Sequence, residues 1–261
     1  TALIFFLIFS YFFLKWEMNK SSLKLVLYQC FFLSLAVYTR QYYALIFFYC
    51  LFLYFKNFDF KKFFYICFFI SLLTIPGFIL IYFDPILIST TFDSNISNTI
   101  LISSSILSFY LLPFFFLEIL NKGINKFLNK NFFIIIFFSL ALIISLVSFF
   151  DYNYKTGGGF FIKLSYLIFD NYYLFLISSI LGMSFLLLLV RENKINFILL
   201  TIMLLGFPAY MIFQKYYEPM FLFILFLFLK TNVTQNFFHL KRNLIFYYSY
   251  VFLYLLSAII N

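Results

Sequence analysis

Apolar runs follow one another along the whole chain, each closed by a few charged or turn-forming residues. A helix needs about 20 apolar residues to cross a ~30 Å hydrocarbon core. The breaks give candidate spans at 1–14, 22–39, 41–55, 63–83, 99–120, 132–150, 172–190, 197–213, 219–230 and 244–260. The expected fold is therefore all-α: a polytopic transmembrane helical bundle of about nine or ten spans, forming a single transmembrane domain over 1–261. Several spans are short and would extend into their flanks. Thr1 stands inside an apolar run and no Met precedes it, so we expect an N-terminally incomplete chain.

Composition closes off the other classes. Only 10% of residues are charged and 65% are hydrophobic, against roughly 25% charged in a soluble domain. A soluble enzyme, a nucleic-acid-binding protein and a disulfide scaffold are excluded. The pI near 9.3 reflects the basic cytoplasmic loops usual in membrane proteins; the expected partner is the lipid bilayer, not nucleic acid. An AT-rich genome would account for the 47 Phe and 22 Tyr, so they imply no aromatic cage. Cys30, Cys50 and Cys67 sit within apolar segments and read as core residues. His239 is the only histidine, and no metal site is expected.

Charge orders the loops. With loops alternating between two sides, one side holds 14 of the 18 basic residues: Lys15, Lys20, Lys24, Lys56, Lys61, Lys62, Lys122, Lys126, Lys130, Arg191, Lys194, Lys230, Lys241 and Arg242. The other holds Arg40, Lys155, Lys163 and Lys215. The alternative of one long helix through 22–55 would invert every later loop and destroy this division. The positive-inside rule favours a break at Arg40 and places the 14 in the cytoplasm.

On the charge-poor outer face each charge needs a reason. Arg40 opens the second arm of a hairpin and is followed by Gln41 and Tyr42. A guanidinium fork suits a pair of phosphate oxygens, with Gln41 and Tyr42 orienting sugar or phosphate; snorkelling to headgroups explains Arg40 equally well. Gly157-Gly158-Gly159 permits close backbone approach around an anion, or simply makes a turn, and Lys163 follows within reach of the same anion. Residues 160–169 are expected either as a short helix lying at the interface or as ordinary loop. Gln214–Pro219 is read as a short outer turn in which Lys215 helps bind an anion or merely pairs with Glu218. Asp84 and Asp93 are candidate general bases, although Asp84-Pro85 is also a common turn opening. Asn95-Ile96-Ser97 fits a glycosylation sequon.

The stretch YTRQYYALIFF (38–48) resembles the Arg-Gln-Thr-Asn region of the dolichyl-phosphate-glucose α-1,2-glucosyltransferases, members of the GT-C class of polytopic membrane glycosyltransferases. FQKYYEPMFLFILFLFLKTN (213–232) is similar to their basic-Tyr segment before the last helices, and the 151–173 loop falls in the corresponding place between the two. Together these cover about a fifth of the chain. Here Tyr42-Tyr43 replaces Thr-Asn, and a Gly-rich loop replaces a His-rich one. The resemblance implies a transferase using a polyprenyl-phosphate-sugar donor, a glycan or lipid acceptor and an extracytoplasmic site. It also implies that the loop supplying the catalytic carboxylate precedes Thr1. Arg40 would bind the lipid phosphate, assisted by Lys163 or Lys215. The alternatives are a lipid-linked oligosaccharide flippase or transporter, a polysaccharide polymerase and a non-catalytic membrane subunit. The spans carry few mid-helix charges, which counts against a transport path.

Overall fold

A computed structural model describes residues 2–83, 95–123, 130–153, 157–206 and 212–260. Every regular element among them is helical. The chain forms two compact units, 1–93 and 94–261.

The first unit holds α1 (Ala2–Met18), α2 (Leu23–Thr39), a 3₁₀ turn (Gln41–Leu45), α3 (Ile46–Asn57) and α4 (Phe60–Phe83). The break expected at Arg40 is present: its backbone is extended, with φ −150° and ψ 103°. Aromatic pairs set the register. The Phe6 ring stacks on Tyr43 with centroids 4.5 Å apart, and Trp16 meets Tyr54 edge-on at 5.4 Å. Thus α1 and α3 run in the same direction, with α2 antiparallel between them. Gln29, fully buried, locks this register by donating to the Phe12 carbonyl (3.2 Å) and accepting from the Tyr54 hydroxyl (2.6 Å). The Tyr38 hydroxyl donates to the Leu73 carbonyl, so α4 runs parallel to α2. The helix continues through Pro76. The alternation leaves Lys15, Lys20, Lys24, Lys56, Lys61 and Lys62 at one end of this unit and Arg40 at the other.

The second unit is built around α5 (Ile96–Lys122), buried over most of its length. Around it lie α6 (Lys130–Val147), α7 (Phe160–Phe169), α8 (Tyr173–Glu192), α9 (Asn196–Leu205), α10 (Gln214–Phe223) with a π-helical turn (Ile224–Phe228), α11 (Asn232–His239) and α12 (Lys241–Ile260). Small residues let α5 and α8 touch backbone to backbone. A Cβ at Gly182 would overlap the Ser104 carbonyl oxygen. Ser105 and Ser178 hydroxyls lie 2.6 Å apart, and the Ser179 hydroxyl donates to the Leu101 carbonyl at 2.9 Å. This is how helices associate where lipid removes the hydrophobic incentive, each such bond contributing about 0.6 kcal/mol. At the far end Arg242 donates to Asn121 (3.1 Å), and the Asn232 N–H donates to the Glu192 carboxylate (2.6 Å). The first bond ties α12 to the end of α5, and the second ties α11 to the end of α8.

Among the described residues, four helices are long and apolar enough to cross a membrane: 60–79, 96–121, 130–147 and 173–192. The face of α4 exposes Phe64, Phe68, Leu72, Ile75 and Phe78, and α6 exposes Ile134, Phe137 and Ile144. Contiguous apolar faces of this kind are not supported by water and fit an integral membrane protein. The shorter apolar helices α2, α7 and α9 fall below crossing length.

Candidate functional site

Arg40 caps α2 by donating its backbone N–H to the Ala36 carbonyl at 2.9 Å, and its carbonyl accepts from the Tyr43 N–H at 3.2 Å. Its side chain and that of Gln41 are exposed; Tyr42 is half-buried, with its ring 4.5 Å from that of Tyr43. The 3₁₀ turn follows from chain direction: one extended residue ends α2, and a tight turn re-enters the unit with Tyr43 buried against Phe6. Gln41 and Tyr42 therefore stand beside Arg40 at the end of the unit away from its lysines. Asp84 and Asp93 lie outside the described residues, as does Lys155.

In the second unit the outer loop takes a path the sequence did not disclose. Asn95 caps α5, accepting from the Ser97 and Asn98 N–H groups, and its amide donates to the Phe149 carbonyl at 3.0 Å. The sequon asparagine is thus engaged as a cap. Asn98 brackets the Asp151 backbone, donating to its carbonyl (2.6 Å) and accepting from its N–H (3.0 Å). This fixes the loop entrance at the first turn of α5. The three glycines, by contrast, lie deep. A Cβ on Gly159 would stand 2.7 Å from Ile106 Cγ1, and the Phe160 ring is 5.3 Å from Phe109. Ile106 is ten residues into α5, about 15 Å along its axis.

The element 160–169 is a helix with the expected bounds. It starts beside the middle of α5 and returns to the loop entrance, where Tyr172 and Phe175 pack on Phe150 at 5.3 Å. It is a ten-residue helix that runs back along α5. Lys163 is on its exposed side, while Ile162 and Ser165 face inward. The glycines make this dip feasible: Gly157, Gly158 and Gly159 have φ of 143°, 82° and 82°, a region costly for other residues.

Gln214–Pro219, expected as an outer turn, is instead the beginning of α10. Gln, Lys and Glu are good helix formers, and the segment packs inside the unit. The Gln214 side chain accepts the Phe160 N–H at 2.9 Å, the Ile212 carbonyl accepts from Gly158 at 2.8 Å, and the Ile212 N–H donates to the Tyr152 hydroxyl at 3.1 Å. Lys215 lies in the first turn of α10. The N-termini of α7 and α10 therefore converge beside the middle of α5, with Gln214 between them. Gln214 is 6% exposed, and its Nε2 has no hydrogen-bond partner among the described residues. The sequence signal for this meeting point was a polar group within apolar surroundings after a glycine run, which on its own reads as two loops.

Among the described residues no three His, Cys, Asp or Glu side chains cluster as metal ligands would. Cys30 and Cys50 are buried free thiols, and Cys67 is half-buried. Compared with known protein families, curated proteins and solved structures, the chain matches none.

Proposed function

We propose that this chain is part of a membrane glycosyltransferase of the GT-C type, transferring a sugar from a polyprenyl-phosphate-linked donor to a glycan or lipid acceptor on the extracytoplasmic side. The observation that carries the reading is the group of exposed Arg40 and Gln41 beside half-buried Tyr42. It stands at the end of its unit opposite Lys15, Lys20, Lys24, Lys56, Lys61 and Lys62. A lipid phosphate leaving the sugar gains negative charge, and a bidentate guanidinium at an otherwise cation-poor end is suited to stabilising it. Gln41 and Tyr42 would orient the sugar, and the acceptor hydroxyl requires a carboxylate base, for which Asp84 and Asp93 remain candidates.

A lipid-linked oligosaccharide flippase is the second reading. It is favoured by α7 and α10 both beginning midway along α5, since broken helices meeting inside a bundle are a transporter device. One assay separates the two. In proteoliposomes supplied with radiolabelled polyprenyl-phosphate hexose and a mixture of lipid and glycan acceptors, a transferase forms a new glycosidic product. A flippase moves labelled lipid between leaflets and forms none. Absence of product in liposomes that translocate the lipid would overturn the transferase reading.

A further inference from the structure

Gln214 poses a problem of satisfaction. Its oxygen is used by the first N–H of α7, but its Nε2 is buried with no partner among the described residues. A buried amide donor left unpaired is costly, so a ligand that accepts from it is favoured. The atom lies where two helices begin, and neither α7 nor α10 has a side-chain cap donated by its own N-cap residue. Helix N-termini present N–H groups and a positive dipole end, which together make an anion site. The glycines bring backbone to the same point, Gly159 so closely that its Cβ would stand 3.5 Å from Gln214 Oε1.

We propose that the meeting point of the α7 and α10 N-termini, with Gln214 Nε2 as its side-chain donor, binds a singly charged phosphodiester of a lipid. The donors identified here are neutral, an amide and main-chain N–H groups. Ile106, Ile162 and Phe109 beside them are apolar. Desolvating a dianion there would cost far more than neutral donors return, whereas a monoanion with delocalised charge suits them. The apolar faces that α6 exposes in the same unit suit a lipid surrounding, and a phosphodiester carried on a lipid is the monoanion at hand there. A polyprenyl-phosphate sugar and an ordinary phospholipid carry the same group, and this inference does not rest on the transferase reading.

The test uses the purified chain in a phosphate-free maltoside detergent. It is titrated separately with a short-chain polyprenyl-phosphate hexose and with a short-chain phosphatidylglycerol. Binding is followed by thermal shift and by hydrogen exchange of the amides at 160–163 and 214–217. At least one lipid should raise the melting temperature and slow those amides. Gln214→Glu keeps an acceptor for the Phe160 N–H but replaces the donor by a negative oxygen. It should retain the helical spectrum and weaken binding at least tenfold, while Gly77→Ala, in the first unit, should leave this protection in place. Gln214-dependent binding of either lipid supports the site, and which lipid binds identifies the source. If neither lipid protects these amides in the wild type, or if Gln214→Glu binds as tightly, the inference is overturned and Nε2 is satisfied by water alone.

Discussion

Arg40 does two separable things. Its backbone ends α2, and its side chain stands exposed at the end of the unit. The backbone role is indifferent to the side chain, so Arg40→Ala should leave folding and membrane insertion nearly unchanged. Loss of a phosphate contact that strengthens as charge develops should lower transfer about a hundredfold. Arg40→Lys should recover only part, because an ammonium lacks the fork. Transfer by Arg40→Ala within about threefold of wild type would leave snorkelling as the role of this side chain. Gly182 offers a purely structural contrast. A methyl there has no space against the Ser104 carbonyl, so Gly182→Ala should force α5 and α8 apart at a cost of about 1–3 kcal/mol. Gly77→Ala meets only the edge of the Tyr38 ring at 3.2 Å, a side chain able to shift, and should be near neutral. Melting in detergent compares the two directly.

At the scale of elements, α7 depends on its glycine entry. Gly158→Ala and Gly159→Ala would each place a side chain at φ 82°, costing about 1–2 kcal/mol before any collision. Each added methyl also meets a neighbour, Ile162 in one case and Ile106 in the other. Both substitutions should selectively speed hydrogen exchange along 160–169 while α5 and α8 stay protected; uniform loss across the unit would mean that this segment is not a separable element. The sequence supported the existence of this helix and its bounds, because apolar residues recur around Lys163 and Ser165. It also supported the break at Arg40, because charge alternation required one. The depth of residues 157–159 was not legible, since three glycines specify freedom without direction. Gln214 was misread as part of an outer turn for a related reason. Polar clusters between apolar runs ordinarily sit in water, and non-helical backbone at depth survives only where protein surrounds it.

For the whole molecule, the broad class was legible from composition and the spacing of apolar runs, and the all-helical fold follows it. Hydropathy alone did not reveal that α9 and α10 are each only ten residues long, because 197–213 and 219–230 read as two spans joined by a turn. The division of charge is the basis of a proposed orientation. In the first unit the lysines share one end, and in the second Arg242–Asn121 ties α12 to the end of α5 while Asn232–Glu192 ties α11 to the end of α8. The central claim is that these ends face the cytoplasm while Arg40 and Lys163 face outward. Single cysteines at the exposed positions Gln41, Lys61, Lys163 and Lys241, in a chain with Cys30, Cys50 and Cys67 replaced, test it in intact cells with a membrane-impermeant maleimide. Labelling at 41 and 163 without permeabilisation, and at 61 and 241 only after it, is the predicted result; labelling of 61 or 241 from outside, or of 41 and 163 only after permeabilisation, would contradict the orientation and the extracytoplasmic site built on it.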